Sequence, residues 1–236
     1  MIASLPMYDR PEWAAAYDAL WSGIKSAYGG ALPDALDRGG DPWAHWHSPD
    51  LAFSQTCGLP YRMGLYKAVD LIGTPDYGLP GCPPGYYRSV IVARGPAEQP
   101  IPGPVLAVND GRSQSGWAAA VAHGAPFDRV LETGGHAASA AAVAFGDADY
   151  AFIDAVSWRG ISADHPELEV IGETTPTPGL PYITRRGGDA VGLARAVEAA
   201  IAALDPAHRA TTGLVGLAHI PQSAYLAQPL PPPLPN

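Results

Sequence analysis

Short apolar runs alternate with helix-patterned stretches along this chain, and that alternation admits few folds other than α/β. Strand patterns fall at 2–8, 50–55, 68–74, 86–94, 104–109, 128–133, 150–158 and 168–174. The stretch 11–29 reads as an amphipathic helix, with Trp13, Ala16, Tyr17, Leu20, Trp21 and Ile24 on one face and Pro11 in its first turn. Further helices are expected from the Ser113-Gln114-Ser115-Gly116 turn to about His123, over 136–146 with Gly146 as the stop, and over 190–204. The final "PLPPPLPN" is polyproline-like and reads as a solvated end.

Two loops rich in proline and glycine, 73–85 and 175–181, flank the segment 90–174. That segment is by itself a strand–helix–strand–helix–strand unit. The pieces on either side, 1–85 and 181–236, supply a second α/β lobe. A chain that crosses from one lobe to the other and back builds a clamshell, each lobe a mixed sheet flanked by helices. Its lobes are expected at 1–89 plus 179–236 and at 90–178, with hinges near 86–92 and 174–181. No internal repeat is visible.

Composition narrows the partners. The 236 residues, 47% of them hydrophobic, suffice to bury a real core. A net charge of −9 argues against nucleic acid, which needs a basic face. No apolar run reaches the length of a membrane span. The start, "MIASLPMYDRPEW", shows no basic segment followed by a long apolar one, so a cytoplasmic location is expected, or a periplasmic one if the native start lies upstream. Cys57 and Cys82 would be able to pair after export, and their spacing is not that of a zinc site. The "HWH" at 45–47 sits in a proline-flanked loop, and no metal or cofactor is expected. Cys57 and His136 lack a third orienting group, so no enzyme is expected.

The candidate site begins at the end of "PVLAVN". Ser113, Gln114, Ser115 and Gly116 stand at a helix entrance, where unpaired backbone N–H groups and the positive end of the macrodipole attract an anion. The same serine would also serve as a plain N-cap. No lysine of a phosphate-binding loop is present. Thr133, Gly134, Gly135 and His136 repeat the pattern at the next strand-to-helix turn, and ligands of open α/β sheets bind at such carboxyl ends. Asp154 ends an apolar strand; it would orient a ligand or bond to backbone N–H groups. Tyr8, Gln55 and Thr56 follow strands of the other lobe. Tyr87 and Arg88 open the crossing strand, where Arg88 is the candidate cation for a dianion or the salt-bridge partner of an acidic neighbour across the cleft.

The runs "SQTCGLP", "GTPDY…GCPPGYYRSVIV", "AVNDGRSQSG", "LETGGHAASAAAVAFGDADYAFIDAVSW" and "TPTPGLPYIT" together resemble the phosphate/phosphonate-type substrate-binding proteins of ABC transporters. The resemblance spans roughly residues 2 to 225. It implies a type II periplasmic-binding-protein-like fold with a small tetrahedral oxyanion (phosphate, phosphite or a phosphonate) held between the lobes. It also implies an ABC transporter permease as partner, and a monomer is expected. Ser113, Gln114 and Ser115 match the residues that grip the phosphonate oxygens; Thr133, His136, Asp154 and Tyr8 match further ligand contacts. A cytoplasmic sensor or adaptor using the same cleft is the alternative, and an enzyme on the same scaffold is a third reading.

Overall fold

All five residues of Ser89–Ala93 are buried, although a strand turns its side chains alternately to two opposite faces. Such a strand needs cover on both sides, and the chain supplies it with helices. The computed structural model describes residues 1–95 and 102–235. In chain order its elements are β1 (Ile2–Ser4), α1 (Ala14–Tyr28), α2 (Pro42–His47), β2 (Leu51–Gln55), α3 (Gly58–Met63), β3 (Val69–Asp76), β4 (Tyr86–Tyr87), β5 (Ser89–Ala93), β6 (Val105–Val108), α4 (Ala119–His123), β7 (Arg129–Glu132) and α5 (His136–Phe145). They continue with β8 (Tyr150–Asp154), α6 (Ala155–Ile161), β9 (Glu169–Glu173), β10 (Thr177–Pro178), β11 (Tyr182–Arg185), α7 (Ala190–Ala203), α8 (Pro206–Thr212), β12 (Gly216–Ala218) and α9 (Gln222–Leu226). No helix among the described residues is long and apolar enough to cross a membrane.

These elements form two compact units. Unit 1 comprises Met1–Tyr86 and Pro178–Ala227; unit 2 comprises Tyr87–Thr177 and the last residues from Gln228 on. The tail therefore corrects the sequence expectation twice. It belongs to unit 2 rather than to the first lobe, and it is docked rather than free in solvent, with the Trp117 indole N–H donating to the carbonyl of Pro232.

Unit 1 holds a five-stranded sheet in the order β1-β2-β11-β3-β12. β1 and β2 are parallel; β11 runs antiparallel to both β2 and β3. Trp46, Leu51, Tyr61, Val69, Ile183 and Tyr225 form one core cluster of this unit. α1 buries Ala16, Tyr17, Leu20, Trp21 and Ile24, the stripe expected from its apolar spacing. It ends at Gly29, whose left-handed φ of 67° suits glycine. α1 packs along α7, which is capped by Asp189 accepting from the N–H of Gly192.

Unit 2 holds a five-stranded sheet in the order β7-β6-β8-β5-β9. β6 is parallel to both β7 and β8, and β5 is antiparallel to β8 and β9. Alternate residues feed two cores. Val90, Val92, Ala107, Ala151 and Ile153 pack with Ala140 and Val143 of α5. Ile91, Leu106, Val108, Tyr150 and Phe152 pack with Trp117, Ala119 and Ala120. The strand expected over 150–158 stops at Asp154, because the Asp154 carboxylate accepts from the N–H groups of Val156 and Ser157 and starts α6. The sequence pattern also runs β1 longer than it is and passes over β11, β12 and the short helices α2, α3, α8 and α9.

Gly23 of α1 faces α7 closely enough that a Cβ there would meet Ala200 Cβ at 3.1 Å. Gly23→Leu should force the helices apart and lower stability in urea denaturation by roughly 2 kcal/mol, the scale of an overpacked core. Gly23→Ala should stay within about 1 kcal/mol of the parent, because gained helix propensity opposes the crowding.

Candidate functional site

Three parallel strands end side by side in unit 2, and each leads into a helix. β6 lies between β7 and β8, so the turns after Val108, Glu132 and Asp154 open on one edge of the sheet. β5 starts at the same edge and runs antiparallel to β8, with Ser89 in register with Asp154. Parallel strands need crossover helices, and this places helix N-termini at the strands' carboxyl ends.

The first turn is built by its own polar groups. Asp110 accepts from the N–H groups of Arg112 and Ser113, through its side chain and its carbonyl respectively. Ser113 caps the following helix, its hydroxyl accepting from the N–H of Gly116 at 3.0 Å. The helix opens as a π-helical turn over Gln114–Ala118, with the Ala118 N–H donating to the Ser113 carbonyl, and continues as α4. A π turn reaches one residue further for each acceptor, which leaves one more N–H at its entrance without an intrahelical partner; such turns cluster at functional sites. Gly116 lets the Asn109 side chain lie against the turn, since a Cβ there would come within 2.2 Å of Asn109 Oδ1 and displace it. Gln114 and Ser115 are both buried.

The second turn meets the first. Ser115 Oγ lies 2.9 Å from Nε2 of His136, the first residue of α5, and 3.4 Å from Ser113 Oγ. Beneath them, the Ser89 hydroxyl donates to the Ser115 carbonyl at 2.8 Å. His136 Nδ1 is covered from solvent and has no hydrogen-bond partner among the described residues. Burial lowers the His136 pKa to about 4, so the ring is neutral at physiological pH. Thr133 is used differently: its hydroxyl sits 2.7 Å from Ser139 Oγ and 3.1 Å from the carbonyls of Val108 and Gly135, which fixes the turn.

Two more sequence candidates take structural partners. Asp154 is buried, and its Oδ1 is occupied by the two N–H groups that start α6, the second of the roles left open by the sequence. Arg88 is ion-paired with Glu173 of β9, an acid of its own unit rather than one across a cleft. Tyr87 is buried in β4. The structure thus brings Ser113, Gln114, Ser115, Gly116 and His136 together with Thr133 and Asp154 at one edge of unit 2.

Tyr8, Gln55 and Thr56 belong to unit 1 and are all buried. Tyr8 packs edge-on to Tyr77, with ring centroids 5.1 Å apart. The Gln55 amide donates to the Leu180 carbonyl, and the Thr56 N–H donates to that of Pro181. Burial pushes the nearby Tyr77 and Tyr182 phenols well above their usual range. Cys57 and Cys82 form no disulfide. Sequence reasoning missed Ser89, Asn109 and Ser139. Only their polarity at the margins of apolar elements hinted at them, since their contacts are tertiary.

The covered imidazole should make stability fall on acidification. Because its folded pKa is below the unfolded value near 6.5, the neutral ring stabilises the fold fully above pH 6.5, and this contribution is lost as pH falls toward 4. Urea denaturation at pH 7.5 and pH 4.5 should show a loss roughly 2 kcal/mol smaller in His136→Gln than in the parent.

Comparison with known proteins identifies the arrangement. Residues 84–221 match the family model described as ABC transporter, phosphonate, periplasmic substrate-binding protein. PhnD1 from Prochlorococcus marinus (MIT 9301), solved with methylphosphonate, superposes with a TM-score of 0.72 at 13% identity, over 95% of this chain and 94% of that one. A binding protein component of an ABC phosphonate transporter from Pseudomonas aeruginosa gives 0.66 at 12% identity, over 95% and 82% of the two chains. A Xanthomonas citri protein bound to chloride ion gives 0.67 at 15% identity, over 95% and 92%. No curated protein matches the chain by sequence. At these identities the solved structures establish a shared fold, that of periplasmic binding proteins. The family model reaches further, since it spans more than half of the chain, both of the polar turns and the strands that carry them. The chain therefore belongs to the phosphonate family of periplasmic substrate-binding proteins of ABC transporters.

Proposed function

We propose that this protein binds a small tetrahedral phosphorus oxyanion, phosphate, phosphite or an alkylphosphonate, at the polar edge of unit 2 and performs no chemistry on it. The reading rests on one observation: Ser115 Oγ and His136 Nε2, from two neighbouring helix entrances, lie 2.9 Å apart. Without a ligand the two groups share one hydrogen bond. The ionised oxygens of an oxyanion are acceptors, so they would turn the Ser115 hydroxyl and an Nε2–H outward as two donors. N–H groups at the π-helical entrance would add to them.

The donors are neutral. Arg88 is paired with Glu173, and His136 is uncharged near pH 7. Selectivity then follows from the number and direction of acceptors. A tetrahedral anion offers three oxygens to converging donors, whereas a planar carboxylate offers two. Delivery to an ABC transporter permease is the role that family membership supports.

Isothermal calorimetry against methylphosphonate, phosphite, phosphate, sulfate and acetate tests the proposal. At least one phosphorus oxyanion should bind, and acetate should not. Each hydrogen bond to a charged group contributes about 1.5–3 kcal/mol, so Ser115→Ala should weaken that binding by about tenfold to a hundredfold. Equal affinity of parent and variant would remove Ser115 from the site and overturn the assignment.

A further inference from the structure

The last residues of the sequence, "QPLPPPLPN" from Gln228, have no place in the proposed ligand chemistry, yet they lie against its foundations. Among 228–235, Gln228, Pro231 and Leu234 are half-buried and the other five are exposed. A repeat of three is that of a polyproline II helix, which lays one face in three against a surface. The docked face meets unit 2 at two places. The buried Trp117 indole donates from Nε1 to the Pro232 carbonyl at 2.6 Å. Leu234 packs on the core cluster of Leu106, Val108 and Trp117.

Both places border the anion-binding turn. Trp117 directly follows Gly116 and belongs to the π-helical turn itself. Gly111 lies two residues before Ser113, and a Cβ on it would come within 2.8 Å of Leu234 Cδ1. The tail thus touches the turn's approach and its exit. A buried indole N–H needs an acceptor, and here the acceptor comes from 115 residues further along the chain. Indole donation to the carbonyl of a proline-rich strand is the chemistry by which aromatic grooves recognise polyproline ligands, whose low conformational entropy makes docking inexpensive.

We propose that residues 228–235 are an intramolecular polyproline strap that docks on Trp117 and Gly111 and holds the Ser113–Gly116 turn in its binding geometry. Trp117 and Leu234 are then positioning residues. The positioning role rests on the proposed oxyanion function; the strap itself does not.

The test compares the full chain with a chain ending at Ala227 and with full-length Leu234→Asp and Trp117→Phe, using backbone hydrogen exchange and calorimetry. Leu234→Asp keeps the comparison open if the shortened chain fails to fold. Exchange at 113–119 should quicken at least tenfold in the shortened chain and in Leu234→Asp, while α1 and α7 of unit 1 keep their protection. Trp117→Phe, which keeps an aromatic ring but loses the indole N–H and part of its volume, should show a smaller effect in the same residues. Affinity for the phosphorus oxyanion should fall at least fivefold, and the synthetic peptide QPLPPPLPN added to the shortened chain should restore slow exchange and affinity. Unchanged exchange at 113–119 overturns the strap, whether or not any anion binds. Faster exchange with unchanged oxyanion affinity overturns the positioning role. If no anion binds at all while the tail still governs exchange, the oxyanion reading fails and the strap stands.

Discussion

Strand direction in unit 2 governs everything at its polar edge. β6, β7 and β8 run parallel. A parallel strand cannot be reached by a tight hairpin, so the chain must climb back along a helix after each one. Helix entrances with unmatched N–H groups therefore gather where β6 and β7 end. Apolar packing on both faces fixes that geometry: Val90, Val92 and Ile153 against α5, and Ile91, Leu106 and Phe152 against Trp117 and α4. The hydrogen bond between Ser115 and His136 is a consequence of this frame, because neighbouring parallel strands deliver their helices side by side.

The charge pattern fits the same picture. A net charge of −9 would repel an anion at long range, but salt screens such fields beyond about 8–10 Å. At contact distance, oriented dipoles decide. The guanidinium best placed in sequence to neutralise a dianion, that of Arg88, is matched instead by Glu173. In the proposed reading, a site built from hydroxyls, a neutral imidazole and helix N–H groups distinguishes ligands by geometry more than by total charge. Release would then also be easier than from a site with a buried cation, which would leave an unpaired charge behind.

Much of this was legible in the sequence, for a definite reason. The apolar runs of β5 and β6 are bounded by glycine and proline, and small polar residues follow β6 and β7 where a helix begins, so strand, turn and helix all show in local pattern. What stayed hidden depends on distant partners. "AFIDAVSW" is apolar on both sides of Asp154, and only the carboxylate's bonds to Val156 and Ser157 end the strand there. β11 is four residues long behind a proline-rich loop, and its place beside β2 and β3 comes entirely from long-range pairing. Proline content made the tail read as solvated, whereas the tail's anchor, Trp117, is far away in sequence. Asp154 and Arg88 show the limit for the site itself: their residue types stand out in sequence, whereas their partners, the Val156 and Ser157 N–H groups and Glu173, are visible only in the fold.

The Ser115–His136 pair also bears on the proposal that the site binds its ligand without acting on it. A hydroxyl 2.9 Å from an imidazole nitrogen has the spacing of a nucleophile and its base. In a working triad the other nitrogen donates to a carboxylate, which holds the tautomer and stabilises the imidazolium formed when the base takes the proton. His136 Nδ1 meets no such group among the described residues, and burial lowers the ring's pKa to about 4. Taking a proton from serine would create a charged ring that burial disfavours. In the proposed reading, the burial that weakens His136 as a base leaves it a neutral hydrogen-bond donor suited to an oxyanion that is later released.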